Sequence, residues 1–215
     1  MRSCRVGVLI SGSGTNLQAL IDACAQPGFP AEIAVVISNK AEAKGLERAK
    51  AVGIPTQVID HTQYKRREDF DQAVNTALGH HLVDMVCLAG FMRLLTPWFV
   101  EQWKDRLLNI HPSLLPAFKG VHTHESALTA GVKFHGCTVH FVRAEMDVGP
   151  IIVQAAVPVL AGDTPATLGA RVLEQEHVCY PLALRWFAEG RLTIENERVT
   201  VQDATGPQGA AVNPC

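Results

Sequence analysis

The chain has no CxxC pair, no apolar run near the roughly 18 residues that span a bilayer, and no basic stripe. Its six cysteines (Cys4, Cys24, Cys87, Cys137, Cys179 and Cys215) are scattered. That pattern excludes a zinc ribbon and a disulfide framework and leaves reduced thiols, several of them core fillers. The N-terminus lacks a long apolar stretch followed by a small-residue cleavage site, so the cytoplasm is the expected compartment. A net charge of −2, with 19% charged and 47% hydrophobic residues, gives no electrostatic footprint for nucleic acid. The expected protein is soluble and globular, with neither nucleic acid nor membrane among its partners. At 215 residues the chain is long for one domain and short for two. A single domain over 1–202 is expected, with a flexible tail over 203–215 rich in Ala, Gly, Pro and Gln.

What is present is an alternation of strand and helix patterns. Arg5–Ile10 is a β-branched run, and Leu17, Leu20, Ile21 and Cys24 then fall on one helical face within Thr15–Ala25. Ile33–Ile37 reads as a strand, Ala41–Ala51 as a helix, Thr56–Ile59 as a short strand, Tyr64–His81 as a helix and Met85–Ala89 as a buried strand. Thr96-Pro97 is a capping residue with proline at the first helical position, so Trp98–Trp103 is expected to be helical and to lead into a strand over Arg106–Ile110. This alternation predicts an α/β fold with a Rossmann-like, mostly parallel sheet covered by helices on both faces. After His124 the rhythm changes, since Cys137–Val142 and Ile151–Val159 are β runs with no helix between them and fit an antiparallel pair. A long helix over Leu168–Phe187, started by Asp163-Thr164-Pro165 and interrupted at Pro181, is followed by a terminal hairpin of Leu192–Ile194 and Val199–Val201.

A strand that runs into Gly12-Ser13-Gly14-Thr15-Asn16 and then a helix gathers backbone N–H groups, a hydroxyl and an amide at a positively polarised helix start. That suits one phosphate, although a glycine-rich turn that only caps the helix is also possible. A dinucleotide is disfavoured, because the third glycine of GxGxxG is replaced by Leu17. The P-loop pattern fails for want of Gly-Lys-Ser/Thr.

The most informative stretch is Asn109-Ile110-His111-Pro112-Ser113-Leu114-Leu115-Pro116. On an extended strand Asn109 and His111 face the same way, one a hydrogen-bond donor and the other a group that titrates near neutrality. Pro112 restricts His111 to extended backbone. Glu145-Met146-Asp147-Val148-Gly149-Pro150 follows another β run and can return a carboxylate to the same place. Each residue also has a plainer reading: Asn109 ends a strand, His111 is a satisfied core histidine, and Asp147 begins a turn. His122 and His124 have no acid or thiol at ligand spacing and read as loop histidines, not a metal site. His140 is a candidate neighbour of His111, and His80 and His81 a helix end.

Leu-Leu-Asn-Ile-His-Pro-Ser-Leu-Leu-Pro and Met-Asp-Val-Gly, with Asn109, His111 and Asp147 inside them, resemble the motifs of the 10-formyltetrahydrofolate-dependent formyltransferases. Ile10–Gln18 and Gln175-Glu176-His177 resemble the branch that acts on glycinamide ribonucleotide, and the likeness runs from about Arg5 to Val201. It implies direct transfer of a formyl group from 10-formyltetrahydrofolate, the co-substrate, to the amine of 5-phosphoribosylglycinamide through a tetrahedral intermediate, without a metal. His111 is then the general acid, Asn109 the oxyanion donor, and Asp147 a carboxylate that favours the imidazolium and holds a relaying water. Gly14, Thr15 and Asn16 would take the phosphate and Glu176 the sugar hydroxyls. Arg67, Leu88, Met92, Arg93, Leu94, Leu95, Leu107 and Asn109 would contact the folate, with Arg67 facing its glutamyl end. Arg67 also lies in the charged run Lys65–Asp69, which alone reads as a solvated helix face. At Leu173, where a polar residue is expected in many relatives, the chain departs from the pattern, which leaves a supplementary phosphate or ribose contact open. The resemblance also implies a cis Leu115–Pro116 bond and a monomer or homodimer. Two rivals share the three residues, a methionyl-tRNA formyltransferase and a formyltetrahydrofolate hydrolase, and each is expected to carry an added domain. A non-catalytic phosphate-binding protein of the same fold is the rival from another class.

Overall fold

The computed structural model describes residues 2–206 and 209–214, so Pro207, Gln208 and Cys215 of the expected tail lie outside the described residues. The chain forms two compact units, one running to Asn109 and including Phe141–Ala144, the other holding Ile110–His140 and the residues from Glu145 onward.

The first unit follows the alternation expected from the sequence. It contains β1 (Cys4–Ile10), α1 (Thr15–Cys24), β2 (Ala31–Ser38), α2 (Lys44–Ala51), β3 (Thr56–Val58), α3 (Arg67–His80), β4 (Met85–Leu88), α4 (Pro97–Gln102) and the start of β5 (Leu107–His111). β1 pairs in parallel with β2 and β4, β2 with β3, and β4 with β5. Val6, Val8, Leu9 and Ile10 are all fully buried, as expected of a parallel strand enclosed on both faces. Leu9, Val35, Ile37, Phe70, Val74, Leu78, Val86, Phe99 and Leu107 share one apolar core. Thr96 caps α4 as predicted, its hydroxyl oxygen accepting from the Phe99 N–H.

Two helix starts differ from the sequence expectation. α2 begins at Lys44 because Ala43 is extended, and α3 begins at Arg67 because Tyr64 and Arg66 are extended, after a separate 3-10 turn over His61–Gln63 that Asp60 caps.

The second unit holds the end of β5, α5 (Thr123–Ala130), most of β6 (Phe134–Phe141), β7 (Ile151–Pro158), α6 (Pro165–Ala188), β8 (Leu192–Glu195) and β9 (Arg198–Val201). β6 and β7 are antiparallel, and β8 and β9 form a separate two-stranded sheet. The main sheet has the order β3-β2-β1-β4-β5-β6-β7 and is mostly parallel. α5 is a correction, since it places His124 on a helix and not in a loop. α6 is a second correction, because it continues through Pro181. An interior proline costs about 3 kcal/mol, and burial of Leu168, Val172, Cys179, Tyr180, Ala183 and Leu184 along that helix offsets it. Thr164 and Thr167 form a capping box at its start. Residues 203–206 and 209–214 carry neither helix nor strand, and Asn213 donates through its side-chain amide to the carbonyls of Lys133 and Val159.

Among the described residues no helix is long and apolar enough to cross a membrane, and no group of three or more His, Cys, Asp or Glu is placed to hold a metal ion.

Candidate active site

His111 ends β5 with its ring buried, and the second unit brings Asp147 to it. Nδ1 of His111 lies 3.6 Å from Oδ1 of Asp147. On the other side of the ring, Nε2 lies 3.0 Å from the Phe118 carbonyl and, since that carbonyl offers no proton, must donate to it. One ring nitrogen thus bonds a backbone carbonyl and the other faces the Asp147 carboxylate. Asp147 is held in turn, its Oδ2 accepting from the Gly120 N–H at 2.8 Å. Its backbone is left-handed at φ 55°, a conformation that a short polar side chain tolerates better than a bulky one.

The segment after His111 is fixed by hydrogen bonds to neighbouring strands. The Thr138 hydroxyl donates to the Ser113 carbonyl at 2.7 Å and accepts from the Leu115 N–H, while the Gln154 amide donates to the Leu115 carbonyl. Thr123 reaches the Pro112 carbonyl, and the Leu115–Pro116 peptide is cis. Behind this segment His135 is fully buried, with Nε2 3.2 Å from Nδ1 of His124. Burial, and then the neighbouring His124, pull the His135 pKa down to about 4. Phe118 packs edge-on against the same ring.

Asn109 precedes His111 by two residues on β5, opposite Leu88 of β4 in the register, and is half-buried. His140, on β6, is buried. Glu176 is buried on α6; nearby, the hydrogen bond with Cys179 and then burial push the Cys137 thiol up, and the charge of Glu176 adds to the rise. Leu173 lies on the same helix.

The glycine turn belongs to the first unit. Gly14 is the α1 N-cap in a left-handed conformation, no side chain caps the helix, and its first turn carries no acid. The positive end of the helix is therefore not offset by a capping or acidic side chain of its own. Arg48 supports the turn, its Nε donating to the Ser13 carbonyl at 2.9 Å. Gly14 and Gly45 touch, since a Cβ on Gly14 would come 2.5 Å from the Gly45 Cα. The requirement for glycine at position 45 carried no recognised motif in the sequence.

Ser11, just before that turn, was not singled out from the sequence. Its hydroxyl donates to Asn39 Oδ1 and accepts from the Met92 N–H at 2.8 Å, so it ties the phosphate-type turn to the Met92–Leu95 segment. Met92 and Leu94 are 71% and 60% exposed, which leaves apolar surface open to a flat ring. Leu88 is nearly buried and Leu107 wholly so, which puts both in the core beneath. Next to the segment lies a cavity of about 550 Å³ lined by His61, Lys65, Arg66, Arg67 and Arg93, with Glu68 as the opposing charge. A cationic hollow beside an exposed apolar strip fits a ligand with a flat ring system and a carboxylate tail.

Comparison with known proteins places these residues in a family. The model of the formyl transferase family, "Formyl transferase", matches residues 4–184. The chain belongs to this family. It is 49% identical to phosphoribosylglycinamide formyltransferase of Escherichia coli (strain K12) over 207 residues, which cover 96% of this chain and 98% of that one. It is 53% identical over 199 residues to the human trifunctional purine biosynthetic protein adenosine-3, covering 92% of this chain but only a fifth (20%) of that longer protein. Among solved structures, glycinamide ribonucleotide transformylase 1 from Symbiobacterium toebii aligns with a TM-score of 0.92 and 54% identity over 94% of this chain and 95% of that one. A formyltetrahydrofolate deformylase from Pseudomonas syringae shares the family fold at a TM-score of 0.87 but only 29% identity, over 94% of this chain and 67% of that one.

Proposed function

We propose that this chain transfers a formyl group from 10-formyltetrahydrofolate to the amine of 5-phosphoribosylglycinamide, a step of purine synthesis. The observation that carries the reading is the His111–Asp147 pair, 3.6 Å apart with 6% and 9% of the side chains exposed, with Asn109 two residues before His111 in the chain. Attack of the amine on the formyl carbon creates a tetrahedral carbon whose oxygen carries negative charge. Asn109 donates an N–H to that oxygen, a contribution worth about 2.7–4 kcal/mol in the barrier. His111 gives its proton to the departing folate nitrogen, and the carboxylate of Asp147 supports the resulting charge changes and accepts the amine proton through a held water. Gly14, Thr15 and Asn16 bind the phosphate at the start of α1, and Glu176 binds the sugar hydroxyls. Arg67, Arg93 and the Met92–Leu95 segment receive the folate, its carboxylates toward the cationic cavity, with Leu88 and Leu107 as the apolar floor. No metal takes part in this chemistry.

The test is to mix the protein with the formyl donor and the ribonucleotide amine and follow deformylated folate by absorbance. Product that requires both substrates supports the transfer. Product formed at the same rate without the amine would replace this reading by hydrolysis, and no product with either would leave a binding protein.

A further inference from the structure

Helix α3 carries two residues of opposite charge one turn apart, Arg67 and Asp71, that differ completely in exposure. Arg67 faces the cavity, whereas Asp71 has no exposed surface. A buried carboxylate is costly unless its oxygens are hydrogen-bonded. Oδ2 of Asp71 accepts twice from one residue, the Thr96 N–H at 2.6 Å and the Thr96 hydroxyl at 2.7 Å. Oδ1 has no hydrogen-bond partner among the described residues. The carboxylate is thus committed to Thr96 alone. Thr96 is the residue at which the Met92–Leu95 segment ends and α4 begins, and its hydroxyl oxygen also accepts from the Phe99 N–H.

The segment is therefore held at both ends, at Met92 by Ser11 and at Thr96 by Asp71. The ring of Phe70, next to Asp71, stacks on Phe91 at the head of the segment, 6.4 Å between centroids and 10° between planes. Apart from these ties, Met92 and Leu94 are largely exposed, so the ends set where the segment lies.

We infer that Asp71 is a positioning residue for the formyl donor: through Thr96 it fixes the Met92–Leu95 segment against the helix that presents Arg67. This rests on the proposal above that Arg67 and the segment receive the folate. Asp71 itself touches no substrate in this scheme; it acts through Thr96, which also lines the cationic cavity. The placement of the apolar strip relative to the cationic hollow, which a ligand with a ring at one end and carboxylates at the other must span, is set at its Thr96 end by this hydrogen-bonded corner.

The experiment is steady-state kinetics on the full chain carrying Asp71→Asn, Thr96→Val, Thr96→Ser or Arg67→Ala. Loss of charge assistance in Asp71→Asn, or of the hydroxyl in Thr96→Val, is expected to raise the KM for the donor about tenfold, with kcat at saturating donor and the KM for the amine within about twofold of the parent. Thr96→Ser, which keeps the hydroxyl, restores the parent KM. A fall in kcat alone, equal rises in both KM values, or a parent-like donor KM in both Asp71→Asn and Thr96→Val would overturn the role. Arg67→Ala separates the two layers. If it leaves the donor KM unchanged, the folate placement fails; if it raises that KM while Asp71→Asn does not, only the inference about Asp71 fails. Should Asp71→Asn fold poorly, the Thr96 pair decides, because valine and threonine have nearly the same shape.

Discussion

Nδ1 of His111 and Oδ1 of Asp147 stand 3.6 Å apart, too far for a hydrogen bond, with 6% and 9% of their side chains exposed. The Asp147 carboxylate thus faces the ring without bonding it, and its hydrogen bond is made instead to the Gly120 N–H. Asp147→Asn separates the two roles, since its amide oxygen can still accept from Gly120 while the charge is gone. The expected result is a fall in kcat of about 10²–10³, with both KM values little changed and the loop intact, and a larger fall for His111→Ala. Single-turnover kinetics with both substrates saturating checks it. Parent-like rates in His111→Ala would remove that residue from the chemistry.

Asn109 gives a second prediction through its place on the strand. Two residues before His111, its side chain leaves the same face of β5. If it stabilises charge that appears only in the transition state, Asn109→Ala loses about 10²–10³ in kcat and changes the donor KM by less than about threefold. A loss confined to KM would make it a binding residue and leave the oxyanion without its assigned donor.

The strands and helices of the first unit were legible because alternating apolar runs and 3.6-residue periodicity are local signals, and β1 with its fully buried Val6, Val8 and Leu9 shows the pattern plainly. α5 was not legible. Its first turn reads His122-Thr123-His124-Glu125, and of its residues only Thr123 and Ala127 are buried, so no apolar stripe marks it. Pro181 misled for the opposite reason, since a strong local breaker lost to the burial of a long helix. In the candidate site, the residue types at 109, 111 and 147 were recognisable, but the partners that hold them were not. The Phe118 carbonyl and the Gly120 N–H are backbone groups, which every residue type supplies equally. Asp71 carries no local mark that tells it from the exposed charges of the same helix, and only its contact with Thr96 sets it apart.

The contact between Gly14 and Gly45 predicts a defect that should divide the two substrates. Gly14 has φ 69°, and a methyl group there would come 2.5 Å from the Gly45 Cα, forcing the starts of α1 and α2 apart. The left-handed conformation alone costs an alanine about 1–2 kcal/mol. Gly14→Ala is expected to lower Tm by several degrees and to raise the KM for the ribonucleotide about tenfold, with the donor KM preserved. Calorimetry and initial rates read the two effects separately. An unchanged ribonucleotide KM in a destabilised but folded protein would make the turn a structural cap and no phosphate site.

The buried His135 makes stability depend on pH in a defined window. Its pKa is about 4 in the folded chain, depressed first by burial and then by His124, against an ordinary value of 6.5. Between those two values the unfolded chain binds a proton that the native chain refuses, so stability is full above pH 6.5 and falls as the pH drops toward 4. At about 1.4 kcal/mol per unit of separation, the loss is on the order of 3 kcal/mol. Burial depresses His124 as well, which acts in the same direction. Urea unfolding at steps between pH 7 and 4 measures this loss, and His135→Gln, which cannot titrate, should flatten the curve. The same ring packs against Phe118, whose carbonyl accepts a hydrogen bond from His111, so charging His135 should also loosen the support of the His111 imidazole. An unchanged slope in His135→Gln would move the acid sensitivity elsewhere in the chain and separate it from the candidate site.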